Sequence, residues 1–320
     1  MKIRRRAAFF FAGAAMLGLI LDGRTALRGA SEGIELCLKT VIPALFPFFV
    51  CSAVLTDALW GESRGVLKLA GKLFRIPAGA ESVLIPGFLG GYPAGAQCVA
   101  RAWRLGQLDR EEARRMLGFC SNPGPSFLFG IVGPRLGRGR MIWLLWGLLL
   151  LGGIAAARLL PGKPGSVVIP RKNAPSLTAA LEQALRAMAG VCGWVVLFRV
   201  VLAFLHRLPP LPEAGGVLAE GLLELTNGCC ALERVTDDRL RFLLAGVMLS
   251  LGGACVSMQT LSVTEGLPLD YYFLGKGIQC LFFAAASFLL FAGLWWVMPV
   301  LAMLLFFIPV KKEKGVAFSQ

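Results

Sequence analysis

Nine polar side chains sit beside helix-breaking glycines and prolines inside apolar sequence: Tyr92, Asn122, Ser126, Glu224, Thr226, Asn227, Ser250, Ser257 and Gln259. Hydroxyls, amides and a carboxylate in that setting are the chemistry of binding a small polar solute, because each can donate to or accept from it where water is scarce. Glu224 lies in Gly221-Leu-Leu-Glu-Leu-Thr-Asn-Gly228, three residues before an Asn-Gly break. An acid at membrane depth is costly and by default a substrate ligand or proton carrier. Its alternative is an interfacial carboxylate on a shallow hairpin, with Glu220 one turn earlier. Arg199, in Val195-Val-Leu-Phe-Arg-Val-Val-Leu202, either faces the same pocket as a cation or snorkels to the membrane surface. The plainer reading of the Ser, Thr and Asn residues is that they cap broken helices and hold them to their neighbours.

Catalytic chemistry is poorly supported. Gly124-Pro-Ser-Phe127 has the outward form of an intramembrane serine nucleophile, which needs a histidine base beside it, and the chain has a single histidine, His206, at the end of an apolar tract. No HExxH, P-loop or dinucleotide fingerprint occurs, so neither enzyme activity nor a metal or cofactor is expected.

The residues fall at four interruptions, two in each half. The first half carries Gly87-Phe-Leu-Gly-Gly-Tyr-Pro-Ala-Gly-Ala96 and then Cys120-Ser-Asn-Pro-Gly-Pro-Ser-Phe127; the second carries Gly221 to Cys230 and then Leu249-Ser-Leu-Gly-Gly-Ala-Cys-Val-Ser-Met-Gln259. Hydrocarbon cannot hydrogen-bond an opened backbone, so such segments survive in a membrane only where protein or a water-filled cavity surrounds them. Opening a helix also leaves partial charges of about half a unit at its new ends, which can hold an ion without a charged side chain.

With 320 residues, 56% hydrophobic and 16% charged, and a mean hydropathy of +0.69, the chain reads as an integral membrane protein. The net charge of +14 comes from Lys and Arg flanking apolar tracts, as at Lys2 to Arg6 and Lys311 to Lys314, which are topology anchors on a lipid bilayer rather than a nucleic-acid surface. Basic residues at both ends place both termini in the cytosol. Nine cysteines without regular spacing read as small core residues.

Apolar tracts run over Ala7 to Leu21, Val41 to Leu59, Met141 to Leu160, Met188 to Leu205 and Ile278 to Val310; the last is too long for one upright helix of about 20 residues and is expected to turn near Pro299. The start, 1–24, reads as a retained helix rather than a cleaved signal. Two basic amphipathic stretches, Arg64 to Arg75 and Asp109 to Leu117, are expected to lie in the interface. The stretch 161–175, rich in Gly, Pro and basic residues, separates two halves, 33–160 and 176–310, within a single membrane domain. Each half offers an amphipathic opening helix (Glu35 to Phe49; Glu182 to Val200), a glycine-punctuated segment, a charged connection (Asp109 to Arg115; Glu233 to Arg241) and a second broken segment, at an offset of about 130 residues. The expected fold is all-α: a polytopic membrane protein with a two-repeat, transporter-like core of re-entrant hairpins and discontinuous helices.

On the four motifs, Gly87 to Ala96, Asn122-Pro-Gly-Pro-Ser-Phe127, Glu224-Leu-Thr-Asn-Gly228 and Ser250 to Gln259, the chain resembles the YlbJ-type (SpoVV) sporulation integral membrane proteins with a Gate, or nucleoside-recognition, domain. The resemblance runs from about Gly33 to about Leu290. It implies inverted repeats similar to the core of concentrative nucleoside transporters. It also implies movement of dipicolinic acid into the forespore, with the protein in the outer forespore membrane. Substrate contacts would fall on Asn122, Ser126, Glu224, Thr226, Asn227, Ser250 and Gln259; Ser121 and Ser257 stand where related chains often have Asn and His. A nucleoside transporter would use the same amides and hydroxyls, with Glu224 accepting from ribose; in a sporulation scaffold that transports nothing, the breaks would only pack helices and the basic interfacial segments would recruit partners. The expected partners are a small-molecule substrate and the lipid bilayer, with room for membrane-protein partners or a homo-oligomer.

Overall fold

The computed structural model describes residues 12–13, 16–137, 139–162, 167, 176–209, 211–294 and 296. The chain is about 80% helical, with no strand among the described residues. The 1–24 helix lies largely outside the described residues. So do most of the 161–175 linker, the expected turn at Pro299 and the basic C-terminal end.

Five helical stretches are long and apolar enough to cross a membrane: Gly23–Leu59, Gly139–Leu159, Leu177–Leu205, Asp238–Val263 and Asp270–Phe291. The first is one rod of 37 residues, about 55 Å at ~1.5 Å per residue. It consists of α1 (Gly23–Leu36), a π turn (Cys37–Val41) and α2 (Ile42–Leu59). The widened turn directly precedes Pro43, whose ring would clash with the carbonyl four residues back in a regular helix. α8 (Leu177–Leu205) packs against both α1 and α2. Gly29 and Gly33 set that crossing: a Cβ on either would lie 2.9 Å from the α8 backbone at Val200 or Val196. Both long helices exceed the opening helices read from sequence, Glu35 to Phe49 and Glu182 to Val200.

Between the long helices the chain folds in short pieces. α3 (Gly65–Phe74) is followed by a first hairpin, made of a 3₁₀ turn (Glu81–Val83), a π turn (Pro86–Gly90), a break, and α4 (Ala94–Arg104). Next come α5 (Arg110–Leu117), an unwound segment over 118–124, and α6 (Pro125–Phe127), which runs on through a π turn to α7 (Gly139–Leu159). After α8, a second hairpin pairs α9 (Glu213–Leu223) with α10 (Leu225–Ala231). α11 (Asp238–Leu251) and α12 (Gly253–Val263) form a single broken helix, and α13 (Asp270–Phe291) follows, packed on α7 and α11. α13 begins eight residues before the apolar tract that announced it.

The two amphipathic helices, α3 and α5, are held to the protein in different ways. α3 ends on Arg75, whose left-handed backbone (φ 55°) turns the chain so that its guanidinium donates to the carbonyls of Arg158, Leu160 and Gly162 at the end of α7. Arg158 returns bonds to Leu73 O and Lys72 O, so each helix is capped by the other's arginine. Burial, then the neighbouring Arg115, pulls the Arg75 guanidinium below its usual range. α5 turns one face inward while Arg110 and Glu111 stay exposed. Glu112, Ala113, Arg115, Met116 and Leu117 are buried, and Glu112 and Arg115 pair at 2.6 Å, each about 1% exposed, which lets a helix of mixed charge sit inside.

The hairpins come from opposite ends of α8. Arg101 of the first reaches Gln183 near the start of α8 at 2.9 Å, whereas Glu220 of the second meets His206 at its end at 3.2 Å. The broken helix Asp238–Val263 is 61% buried against 22% for Leu177–Leu205, so it is an inner element with α8 outside it. Leu281 and Phe288 on α13 and Leu185 and Leu197 on α8 are exposed and form the apolar surface that faces lipid.

Candidate functional site

Glycines let each hairpin be crossed by a broken helix at backbone distance. In the first half, a Cβ on Gly95 would lie 1.8 Å from Cys120 O and 2.6 Å from Gly87 Cα; one on Gly124 would lie 3.1 Å from Gly91 N. Gly91 also turns at φ 87°, a region that side chains disfavour. The unwound 118–124 segment therefore runs flat across the hairpin tip, and Asn122 Nδ2 fastens it by donating to Gly87 O (3.2 Å) and Phe119 O (2.7 Å). The second half repeats the device. A Cβ on Gly228 would lie 2.1 Å from Gly221 Cα, and one on Gly253 would lie 2.7 Å from Gly221 O.

Glu224 is the tip of the second hairpin. Its backbone is extended, which ends α9, and its carboxylate caps α10 by accepting from Thr226 N (3.1 Å) and Asn227 N (2.8 Å). It is 2% exposed, buried among protein rather than facing solvent. The positive end of α10 and two charge-assisted hydrogen bonds offset the cost of burying that carboxylate. Arg199 neither faces the pocket nor snorkels free. Its guanidinium donates to Asn227 Oδ1 at 2.9 Å and to Glu32 Oε2 at 2.5 Å, latching the second hairpin to α8 and α1.

The four breaks meet around one small cavity of about 30 Å³, room for about two waters. Tyr92 from the first hairpin, Glu224 and Thr226 from the second, Pro123 and Gly124 from the unwound segment and Gln259 from α12 line it. Tyr92 crosses between halves, donating from Oη to Leu249 O at 2.6 Å. Next to the cavity, and sharing Val191 and Gln259 with it, is an open cleft of about 250 Å³ bordered by Pro93, Gln97, Arg104, Arg186 and Trp194. Arg104 donates to Val263 O there, and Arg186 pairs with Glu182.

Of the nine polar residues singled out in the sequence, Tyr92, Glu224, Thr226 and Gln259 thus face one cavity. Asn122 and Asn227 lie next to it but spend their amides on carbonyls and on Arg199. Ser257 bonds back to Gly253 O within its own helix. The side chains of Ser126 and Ser250, with Asn122 Oδ1 and Asn227 Nδ2, are buried without a hydrogen-bond partner among the described residues. A serine–histidine pair is not formed: His206 bonds Glu220 at the surface, and Ser126 Oγ has no partner. Among the described residues no cluster of His, Cys, Asp or Glu could hold a metal, and all nine cysteines are free.

Two residues beside the breaks escaped the sequence reading. Lys276 and Gln279 on α13 are each 2% exposed and reach Ser121 O and Gly118 O of the unwound segment. The available signal was a lysine between two glycines, Gly275-Lys-Gly277, directly before an apolar tract.

Over 122 residues the chain is 31% identical to the sporulation integral membrane protein YlbJ of Bacillus subtilis (strain 168), a match covering 36% of this chain and 28% of that protein's length. No family model and no solved structure matches the chain. The YlbJ-type resemblance read from the motifs is borne out by this relative, and the chain is a multi-pass integral membrane protein.

Proposed function

Starting from a multi-pass membrane chain similar to a sporulation protein, we propose that it transports a small polar, anionic aromatic metabolite between the two hairpin tips, with dipicolinate as the first candidate. The observation that carries this reading is the shared cavity: both hairpins and both broken helices contribute to it, and it adjoins a cleft bordered by Arg104 and Arg186. Opposed hairpins and paired breaks at matching places in the two halves support an inverted-repeat, alternating-access design. α4 and α12 begin without a side-chain cap, so the positive ends of both helices favour a nearby carboxylate, although Ala94 N–H at the start of α4 already donates to Gly91 O. Two waters' worth of space does not hold an aromatic ring. On this reading the hairpins must part to admit the ring.

A nucleoside is the second reading, favoured by Glu224, whose carboxylate at the cavity wall would accept from sugar hydroxyls. The close packing of the tips favours a scaffold that moves nothing. Thermal unfolding of the purified protein with dipicolinate, uridine and no addition separates the three. A rise in Tm with dipicolinate that is weakened in Arg104→Ala supports the proposal. A rise with uridine alone replaces it with the nucleoside reading, and no rise with either favours the scaffold.

A further inference from the structure

Lys276 lies within α13 with its side chain inside the protein, 2% exposed. Its Nζ donates to Tyr92 Oη at 3.2 Å and to Ser121 O, and it sits 4.6 Å from the centroid of the Tyr92 ring and 5.8 Å from that of Tyr272. Tyr92 passes the connection on to Leu249 O, in the last turn of α11 before the Gly252 break. The first hairpin tip, the unwound 118–124 segment and the second broken helix are thereby tied to one amine. The approach is built in: a Cβ on Gly275 would lie 2.0 Å from Gly118 O, so only glycine lets α13 lie directly on the unwound backbone. One turn on, Gln279 Nε2 donates to Gly118 O at 3.1 Å and adds a second link to the same segment.

None of the ion pairs among the described residues includes Lys276. Its surroundings are instead a backbone carbonyl, a phenol oxygen and two aromatic faces. A lone ammonium in hydrocarbon is expensive, and such partners offset that cost by ion–dipole and cation–π attraction. Unwound carbonyls and the C-terminal ends of half-helices are also the groups that coordinate sodium in broken-helix transporters. Here one such carbonyl, Ser121 O, meets the amine directly, and another, Leu249 O near the end of a half-helix, is reached through Tyr92. We propose that the Lys276 ammonium takes the position of a bound alkali ion at the breaks, so that the protein carries its own cation and needs no sodium to hold the two halves together. Sodium-independent transport, the functional consequence, rests on the transport reading; the internal cation does not.

The test uses the full chain purified in detergent, with no substrate present. Thermal unfolding is followed in lithium, sodium, potassium and choline chloride at equal ionic strength. The wild type is expected to give the same Tm in all four. Lys276→Met, which keeps the bulk and removes the charge, is expected to lower Tm by about 5 °C. Lys276→Ala should fall at least as far and recover part of the loss in propylammonium chloride but not in the same concentration of 1-propanol. A sodium-dependent wild-type Tm, a wild-type Tm in Lys276→Met, or equal rescue by propanol would each overturn the proposal. If Lys276→Ala is recovered only as aggregate, the salt series and Lys276→Met decide alone. A protein that shows the expected pattern yet moves no solute keeps the internal cation and loses the transport reading.

Discussion

The two hairpins share a backbone plan and differ in their tips. Both are crossed at glycines, Gly87, Gly91 and Gly95 in one and Gly221 and Gly228 in the other. The first presents a phenol, Tyr92, tied to the amine of Lys276; the second presents a carboxylate, Glu224, tied to its own helix and, through Asn227, to Arg199. Shape is thus duplicated while charge is not. The cavity between the tips has an acid on one wall and a lysine behind the opposite one, an asymmetry suited to orienting a polar solute.

The shared plan is the most sensitive to attack. Gly95→Ala and Gly228→Ala each push a methyl group into backbone, 1.8 Å from Cys120 O and 2.1 Å from Gly221 Cα, and each is expected to lose about 3 kcal/mol or more and most folded protein by size-exclusion chromatography. Gly130→Ala, with nothing within 4 Å, should leave the elution profile unchanged. The tips come next. Glu224→Ala uncovers two N–H groups of α10 and should cost about 2 kcal/mol in thermal unfolding. Tyr92→Phe gives up one hydrogen bond to Leu249 O and should cost about 1 kcal/mol. Equal losses at the two tips would erase the contrast drawn here. The smallest effect is the latch: a double-mutant cycle of Glu32→Gln and Arg199→Gln should show a coupling of about 0.5 kcal/mol, and no coupling would make their contact incidental.

The breaks were legible because glycine and proline act locally: Gly252 and Gly253 take positive φ where the sequence places a Gly-Gly pair inside an apolar tract. The partners were not. Arg199 finds Glu32 across 167 residues, and no spacing rule carries that distance. The amphipathic pattern of α5 does not say which charges face inward: Glu112 and Arg115, three residues apart on one helix, pair with each other and are buried, while Arg110 and Glu111 stay exposed. Lys276 was passed over because an apolar tract was counted from Ile278, and a charge at the edge of such a tract reads as an anchor until its helix is seen to start at Asp270.

Movement of solute between the tips is tested most directly by uptake of radiolabelled dipicolinate into liposomes containing the purified protein. Saturable uptake above protein-free liposomes, with KM raised in Arg104→Ala and uptake lost in Gln259→Ala, whose side chain lines the cavity, despite normal yield and Tm, is the predicted result. Uptake no greater than that of protein-free liposomes, from protein that is folded and correctly inserted, would contradict it.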